Sequence, residues 1–244
     1  MNLKSNCGTM TLICVPLVNE TLKGFFESGI RCKEKGADIL EVRLDFLKES
    51  INDSLLTELL QFKEKISLPI NITLRPNWEG GKYKGTEESR MAIIEKCISL
   101  GFDYIDLELN IKNEKLATLI TKARDNQVKT IVSYHDFQKT PERDEILEKV
   151  KQCSTAGGDI AKVVFNCKTY YDCLNVLKAG AMAKKLNLSF SVMGMGVFGS
   201  VTRILSPAIG CKIIYANIDE NSKVVDGQVE VGILKELWEI LGYS

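Results

Sequence analysis

The chain is 244 residues long, 45% hydrophobic and 26% charged, with Lys plus Arg equal to Asp plus Glu at 32 each. That length allows a sizeable core. The even charge, with no basic cluster interleaved with aromatics and no apolar run long enough for a bilayer, argues against nucleic acid or a membrane as partner.

In chain order, the opening "MNLKSNCGTMTLICVPL" lacks the basic and long apolar regions of a signal peptide. Short runs rich in Val and Ile then alternate with helix-length segments. The predicted strands are 11–17, 39–46, 70–75 and 104–109, followed by 129–137, 159–165, 188–196 and 211–217. Between the third and fourth, "TEESRMAIIEKCISLG" carries a helical stripe of Met91, Ile94, Cys97 and Ile98, with a start signal at Thr86 and a stop at Gly101. After the fifth strand, "TPERDEILEKVKQCSTAGG" reads as a helix starting at Thr140, with Pro141 in the first helical position and Gly157-Gly158 at its end. A short helix is expected near 199–206, with Pro207 soon after. The last helix sets Val231, Leu234, Trp238 and Leu241 on one face.

Eight βα units in about this length predict a closed (β/α)8 TIM barrel, one domain over 1–244. An open doubly wound sheet is the alternative. It would carry a Gly-rich turn after the first strand, where "VPLVNET" has none.

Cysteines stand at 7, 14, 32, 97, 153, 167, 173 and 211 without a C-x-x-C pair, and there is a single histidine. The spacings of a zinc site are missing, and a disulfide framework does not suit a chain of this length. The expectation is a reduced, cytoplasmic protein.

Side chains alternate faces along a strand. Leu40, Val42, Leu44 and Phe46 oppose Glu41, Arg43 and Asp45; Ile72 and Leu74 oppose Thr73 and Arg75; Leu107 opposes Asp106 and Glu108. Barrel strands pack their outer face on helices, so the charged face points inward, near the strand ends where barrel enzymes hold their sites. A structural salt-bridge network, for instance Arg43 with Glu41 or Asp45, is the alternative reading.

Lys162 interrupts the apolar run "IAKVVF". A buried amine near other cations loses affinity for its proton, and a free amine can attack a ketone to form an imine, an electron sink for a neighbouring carbanion. The alternative is a lysine that snorkels to the mouth and pairs with Asp106 or Glu108. His135, at the end of the preceding strand, favours the chemical reading, since histidine is the usual proton shuttle near neutral pH. "MGMGVFGSVTR" (193–203) could cradle a phosphate, a weak signal by itself. Arg203 could clamp a phosphate or a carboxylate, and Met193 and Met195 read as pocket wall.

Together "EVRLDFL", "TLRPNWEGG", "YIDLEL", "SYHDF", "AKVVF", "MGMGVFGSVTR" and the late Gly227-Gln228 resemble the type I 3-dehydroquinate dehydratases, in their order and at successive strand tips. The resemblance implies removal of water from 3-dehydroquinate to give 3-dehydroshikimate in a (β/α)8 barrel of the shikimate pathway. It implies that Lys162 forms the imine, that His135 takes the C2 proton and helps the C1 hydroxyl leave in a syn elimination, that Glu79 orients the histidine and that Asp106 supports them. Arg203 and Gln228 match the groups holding the substrate carboxylate. Glu41, Arg43 and Arg75 match hydroxyl-binding positions, and Met193, Met195 and Tyr215 the pocket lining. No metal or organic cofactor is implied, and a homodimer is. The sequence departs from the family's pattern at Val224, where a lid serine is common, at Gly210-Cys211 in place of a common Gly-Ser, and at Tyr215, where phenylalanine is common. The competing readings are a Schiff-base aldolase, which would need a phosphate clamp, and a barrel that binds a small acid without turning it over.

Overall fold

The computed structural model describes residues 10–243; Cys7 and the rest of the opening stretch read for a signal peptide lie outside them. Eight parallel strands form one sheet in the order β7-β6-β5-β4-β3-β2-β1-β8. They are β1 (Leu12–Leu17), β2 (Ile39–Arg43), β3 (Ile70–Thr73), β4 (Tyr104–Glu108), β5 (Lys129–Asp136), β6 (Ile160–Asn166), β7 (Phe190–Met195) and β8 (Ile213–Tyr215). The helices are α1 (Leu22–Glu34), α2 (Asp53–Ile66), α3 (Glu87–Ser99), α4 (Asn113–Asp125), α5 (Arg143–Thr155), α6 (Tyr170–Lys185), the short α7 (Ser200–Ile204) and α8 (Ser206–Ile209), and α9 (Val231–Ile240).

A repeated device closes the lower rim. Asp38, Asp103 and Asp159, each just before an even-numbered strand, accept the N–H of Ile13, Ile70 and Thr130 at the start of the preceding odd strand, at 2.8, 2.8 and 2.7 Å. The fourth pair has Gly210-Cys211-Lys212 at the corresponding place, without a carboxylate. There Lys212 N donates to Phe190 O at 2.8 Å and the Ser191 hydroxyl donates to Ile213 O, which joins β7 to β8. The sheet therefore closes on itself, and the open doubly wound alternative falls.

The two faces of each strand divide as alternation predicts. Leu40, Val42, Ile72, Ile105, Leu107, Val132, Ala161, Val163 and Val192 are buried against the helices. Glu41, Thr73, Asp106, Glu108, Ser133, Lys162 and Ser191 are buried inside the barrel. Helix starts follow local chemistry. The Thr86 side chain accepts from Ser89 N, and Thr169 forms a capping box with Asp172.

Four expectations are corrected. Strand two stops at Arg43 and turns into a 310 turn over Leu44–Phe46, so Asp45 leaves the strand face and clamps Arg43 instead. Helix α5 begins at Arg143, not at Thr140, because the Thr140 hydroxyl donates to Asn166 O at 2.8 Å and ties its loop to β6. The helix after β7 is two short pieces, with Pro207 inside the first turn of the second, where a missing N–H costs nothing. Leu241 lies beyond the last turn of α9 and is half exposed, so only Val231, Leu234 and Trp238 form its buried face. Among the described residues no helix is long and apolar enough to cross a membrane.

Candidate active site

A cavity of about 580 Å³ opens at the C-terminal mouth of the barrel, lined by Glu41, Arg43, Arg75, Glu79, His135, Lys162, Met193, Met195, Arg203, Tyr215, Val224 and Gln228 among others. Of the residues anticipated from sequence, Asp106 alone is not in that lining; it lies directly behind the amine of Lys162.

Lys162 does not snorkel. It is 4% exposed, and its Nζ donates to Asp106 Oδ2 at 3.0 Å and lies 3.7 Å from Glu41 Oε1 and 3.9 Å from the centre of the Tyr215 ring. The charges in direct ion-pair range are thus carboxylates, where the sequence argument expected cations, and Glu108 is not among them. Burial would raise the Asp106 carboxyl, but Arg75 first and then Lys162 outweigh it and hold the group well below the usual carboxylate range.

His135 stands one step above Lys162. In the β5–β6 register Ser133 is opposite Lys162 and His135 is opposite Val164. Its Nδ1 lies 2.9 Å from Glu79 Oε1, while the neighbouring Asp136 is turned away to accept from Gln138 N. With the ring proton on Nδ1, the imidazole donates to Glu79 and leaves Nε2 free to accept. Burial, then the positive charges of Arg75 and Lys162, pushes the imidazole well below its ordinary range, so it is a neutral base at neutral pH. Burial also pushes Glu79 up, to about 8, against the pull of Arg75.

Glu79 reaches the histidine because the chain doubles back after a 310 turn over Asn77–Glu79. Gly81 makes the return possible: a Cβ there would stand 2.0 Å from Arg75 O. Arg75 itself is heavily engaged. It donates to Asp106 Oδ1 at 2.7 Å, to Glu108 Oε1 at 2.8 Å and to Ser133 Oγ at 2.7 Å. The salt-bridge network and the polar cavity are therefore one structure, and the two sequence readings were not exclusive. Arg43 pairs with Asp45, not Glu41, through Nε and Nη2, both at 2.8 Å. Asp45 also accepts from Lys82 N at 3.0 Å, which pins the loop carrying Glu79. Arg90 was not singled out from sequence, and Asp45 and Glu108 were read only as charges of the inward face that could pair with Arg43 or Lys162. Arg90 lies on the buried stripe of α3, four residues before Ile94.

The Gly-rich loop does not cradle a phosphate. Gly194 N donates to Thr202 Oγ1 and Gly196 N to Asp226 O, both at 2.9 Å, so these amides are engaged within the chain. Its work is to seat Arg203 and the segment after β8. Arg203 donates through Nε to Tyr215 O at 3.0 Å and through Nη1 to Gly194 O, and burial pulls it down to about 10, still cationic at neutral pH. Gly227 packs on that loop so closely that a Cβ would lie 2.1 Å from Gly196 O. The Gln228 side-chain oxygen accepts from Val224 N at 2.6 Å. The hydrogen bond supplied at position 224 is thus a backbone one, which a valine gives as well as a serine. Among the described residues no group of three or more His, Cys, Asp or Glu could hold a metal ion, and the seven cysteines there are buried free thiols.

The family model for Type I 3-dehydroquinase matches residues 13–244. The chain belongs to that family. A relative in Methanosarcina mazei, named 3-dehydroquinate dehydratase, is 35% identical over 217 residues, covering 88% of this chain and 90% of the relative. The solved 3-dehydroquinate dehydratase of Geobacillus kaustophilus superposes with a TM-score of 0.88 at 28% identity, covering 96% of this chain and 92% of that one. The type I enzyme of Clostridium difficile, solved with covalently modified comenic acid, gives 0.89 at 25% identity, covering 96% and 93%.

Proposed function

We propose that this type I protein removes water from 3-dehydroquinate to give 3-dehydroshikimate through an imine on Lys162. The observation that carries the reading is the convergence of one buried amine, one imidazole shielded from protonation by burial, the Arg203 guanidinium and the Gln228 amide on a single cavity. The Lys162 amine attacks the ketone carbon and the carbonyl oxygen leaves as water, forming the imine. His135 Nε2 takes the C2 proton as its electrons flow toward the imine nitrogen. The resulting imidazolium returns that proton to the C1 hydroxyl, which leaves as water. Hydrolysis of the imine then releases the enone and restores the amine. Glu79 orients the ring and steadies the imidazolium, and Asp106 steadies the protonated imine nitrogen that draws the electrons. Arg203 and Gln228 hold the substrate carboxylate, and Glu41, Arg43 and Arg75 face its hydroxyls across a wall of Met193, Met195 and Tyr215. Absorbance of the enone on mixing with 3-dehydroquinate tests the reading; no enone, with fructose bisphosphate cleaved instead, would favour the aldolase.

We read the barrel as one catalytic domain, working in the cytoplasm as a homodimer, in line with the family resemblance; sedimentation gives the mass directly.

Two expected results follow at this site. The kcat/KM profile reports ionisations of the free enzyme. Because the folded state depresses His135, activity should persist below the ordinary histidine value of 6.5 and fall only at more acid pH. An acid limb at or above 6.5 would contradict a shielded imidazole. The same depression makes the unfolded chain bind the proton first, so this group's contribution to stability is present above 6.5 and is lost as pH falls below it. Glu79 has the opposite sign: its contribution is present below 4.5 and lost as pH rises through about 8.

Gln228→Ala should raise KM by roughly ten- to a hundredfold, since a hydrogen bond to a charged group contributes about 1.5–3 kcal/mol. Val224→Ser should be neutral or improve kcat/KM, because the backbone N–H already holds Gln228 and the hydroxyl can only add a contact. Unchanged constants in Gln228→Ala would remove the 217–231 segment from the substrate site.

A further inference from the structure

Arg90 is an arginine on a helix that packs outside the barrel, yet it is 0% exposed. Its guanidinium runs inward from α3 under the end of β3. Nη1 donates to Leu74 O at 3.0 Å and to Glu108 Oε2 at 2.7 Å, while Nε and Nη2 hold both oxygens of Glu87 at 2.9 and 2.7 Å. Glu108 passes the contact on through its other oxygen to Arg75 at 2.8 Å, and Arg75 passes it to Asp106 at 2.7 Å. Asp106 ends the chain on the Lys162 amine at 3.0 Å. Alternating charges thus connect a half-exposed glutamate on the outer helix to the amine at the centre of the barrel.

Attachment of α3 does not require this charge. Met91, Ile94, Cys97 and Ile98 already bury that face. An apolar side chain in place of a buried ion pair is often neutral or stabilising for a fold. The guanidinium is needed for what it does to Glu108. Burial and the nearby Asp106 raise the Glu108 carboxyl, and Arg75 and Arg90 pull against that.

We propose that Arg90 is a positioning residue for the Lys162 chemistry, acting through Glu108 and Arg75 to hold Asp106 against the amine. The inference rests on the imine reading above. Without Arg90, Glu108 Oε2 loses its guanidinium partner, and the carboxylate is free to turn away from the geometry in which Oε1 holds Arg75. The nearest competing acid is Glu79, whose Oε1 is already 4.0 Å from Arg75 Nη1 and which orients His135. A shift of Arg75 toward Glu79 disturbs both Asp106 and the histidine, so the loss falls on the chemical step, while the Arg203 and Gln228 contacts to substrate stay intact.

The test is a cycle of Arg90→Met, Glu108→Gln and the double variant, read in kcat, KM and thermal midpoint, with wild type and Lys162→Ala in the same series. Arg90→Met is expected to lower kcat roughly tenfold with KM changed by less than about threefold. Glu108→Gln should do the same, and the double variant should match Glu108→Gln within about twofold, because both act along one path. A purely structural Arg90 would lower the thermal midpoint and leave kcat of the folded fraction alone. A folded Arg90→Met or Glu108→Gln with wild-type kcat, or losses that multiply in the double variant, overturns the proposal. Should Arg90→Met fail to fold, the double variant, which leaves no buried charge unpaired, is compared with Glu108→Gln; a further loss of about tenfold there overturns it. Full turnover by Lys162→Ala would instead count against the imine reading itself.

Discussion

Lys162→Ala should abolish covalent capture of substrate and lower turnover on the order of 10⁶-fold, the scale on which deleting a covalent nucleophile acts. Borohydride reduces an imine to a stable secondary amine, so wild type treated with 3-dehydroquinate and borohydride should gain one reduced adduct, located by mass spectrometry on the peptide carrying Lys162. The substitution is structurally tolerable. Asp106 keeps Arg75 and the Ser133 hydroxyl, and Glu41 keeps the Thr73 hydroxyl at 2.8 Å, so neither carboxylate is left without a partner. Loss of turnover can then be assigned to the missing amine. An adduct that still forms in Lys162→Ala would move the imine to another lysine and sink the assignment.

His135→Ala should separate the two halves of the reaction. The imine can still form, because the Lys162 amine and its carboxylate partners do not depend on the ring. Removal of the C2 proton and departure of the C1 hydroxyl both lose their shuttle. General acid–base catalysis of this kind contributes roughly 10²–10⁴-fold, so kcat should fall by that factor while borohydride still captures the adduct. Exchange of the C2 proton with solvent deuterium should slow in parallel. Turnover within a few-fold of wild type would give the proton transfers to another group.

Much of the site was legible because strand chemistry is periodic. A lysine in "IAKVVF" and charges at alternate positions in "EVRLD" and "YIDLEL" can only share one face of a strand. Outer faces against helices must be apolar, so these side chains had to point inward. Strand alternation, together with the order of the strand-tip motifs, was enough for the barrel and for setting Lys162 and His135 on its inward face. The cap at Thr86 was equally local, since a side chain three residues from an amide needs nothing else to reach it.

What strand parity could not supply is which charge meets which. Asp45 left the predicted strand because its carboxylate found Arg43 and the Lys82 amide across a turn. Thr140 left its helix start because its hydroxyl found Asn166 on the next strand. The partners of Lys162 proved to be Asp106 and Glu41 and not Glu108, which Arg75 and Arg90 hold from two sides. Pairings of this kind are set where long side chains from separate strands, loops and one outer helix converge in a medium with little water. There the choice among several possible partners follows from distances of an ångström or two, which exist only once the barrel has closed. Period, inward face and the chemical groups on it are local properties of the chain; the pairing, and with it the neutral imidazole and the path from Arg90 to the amine, arises only on closure of the barrel.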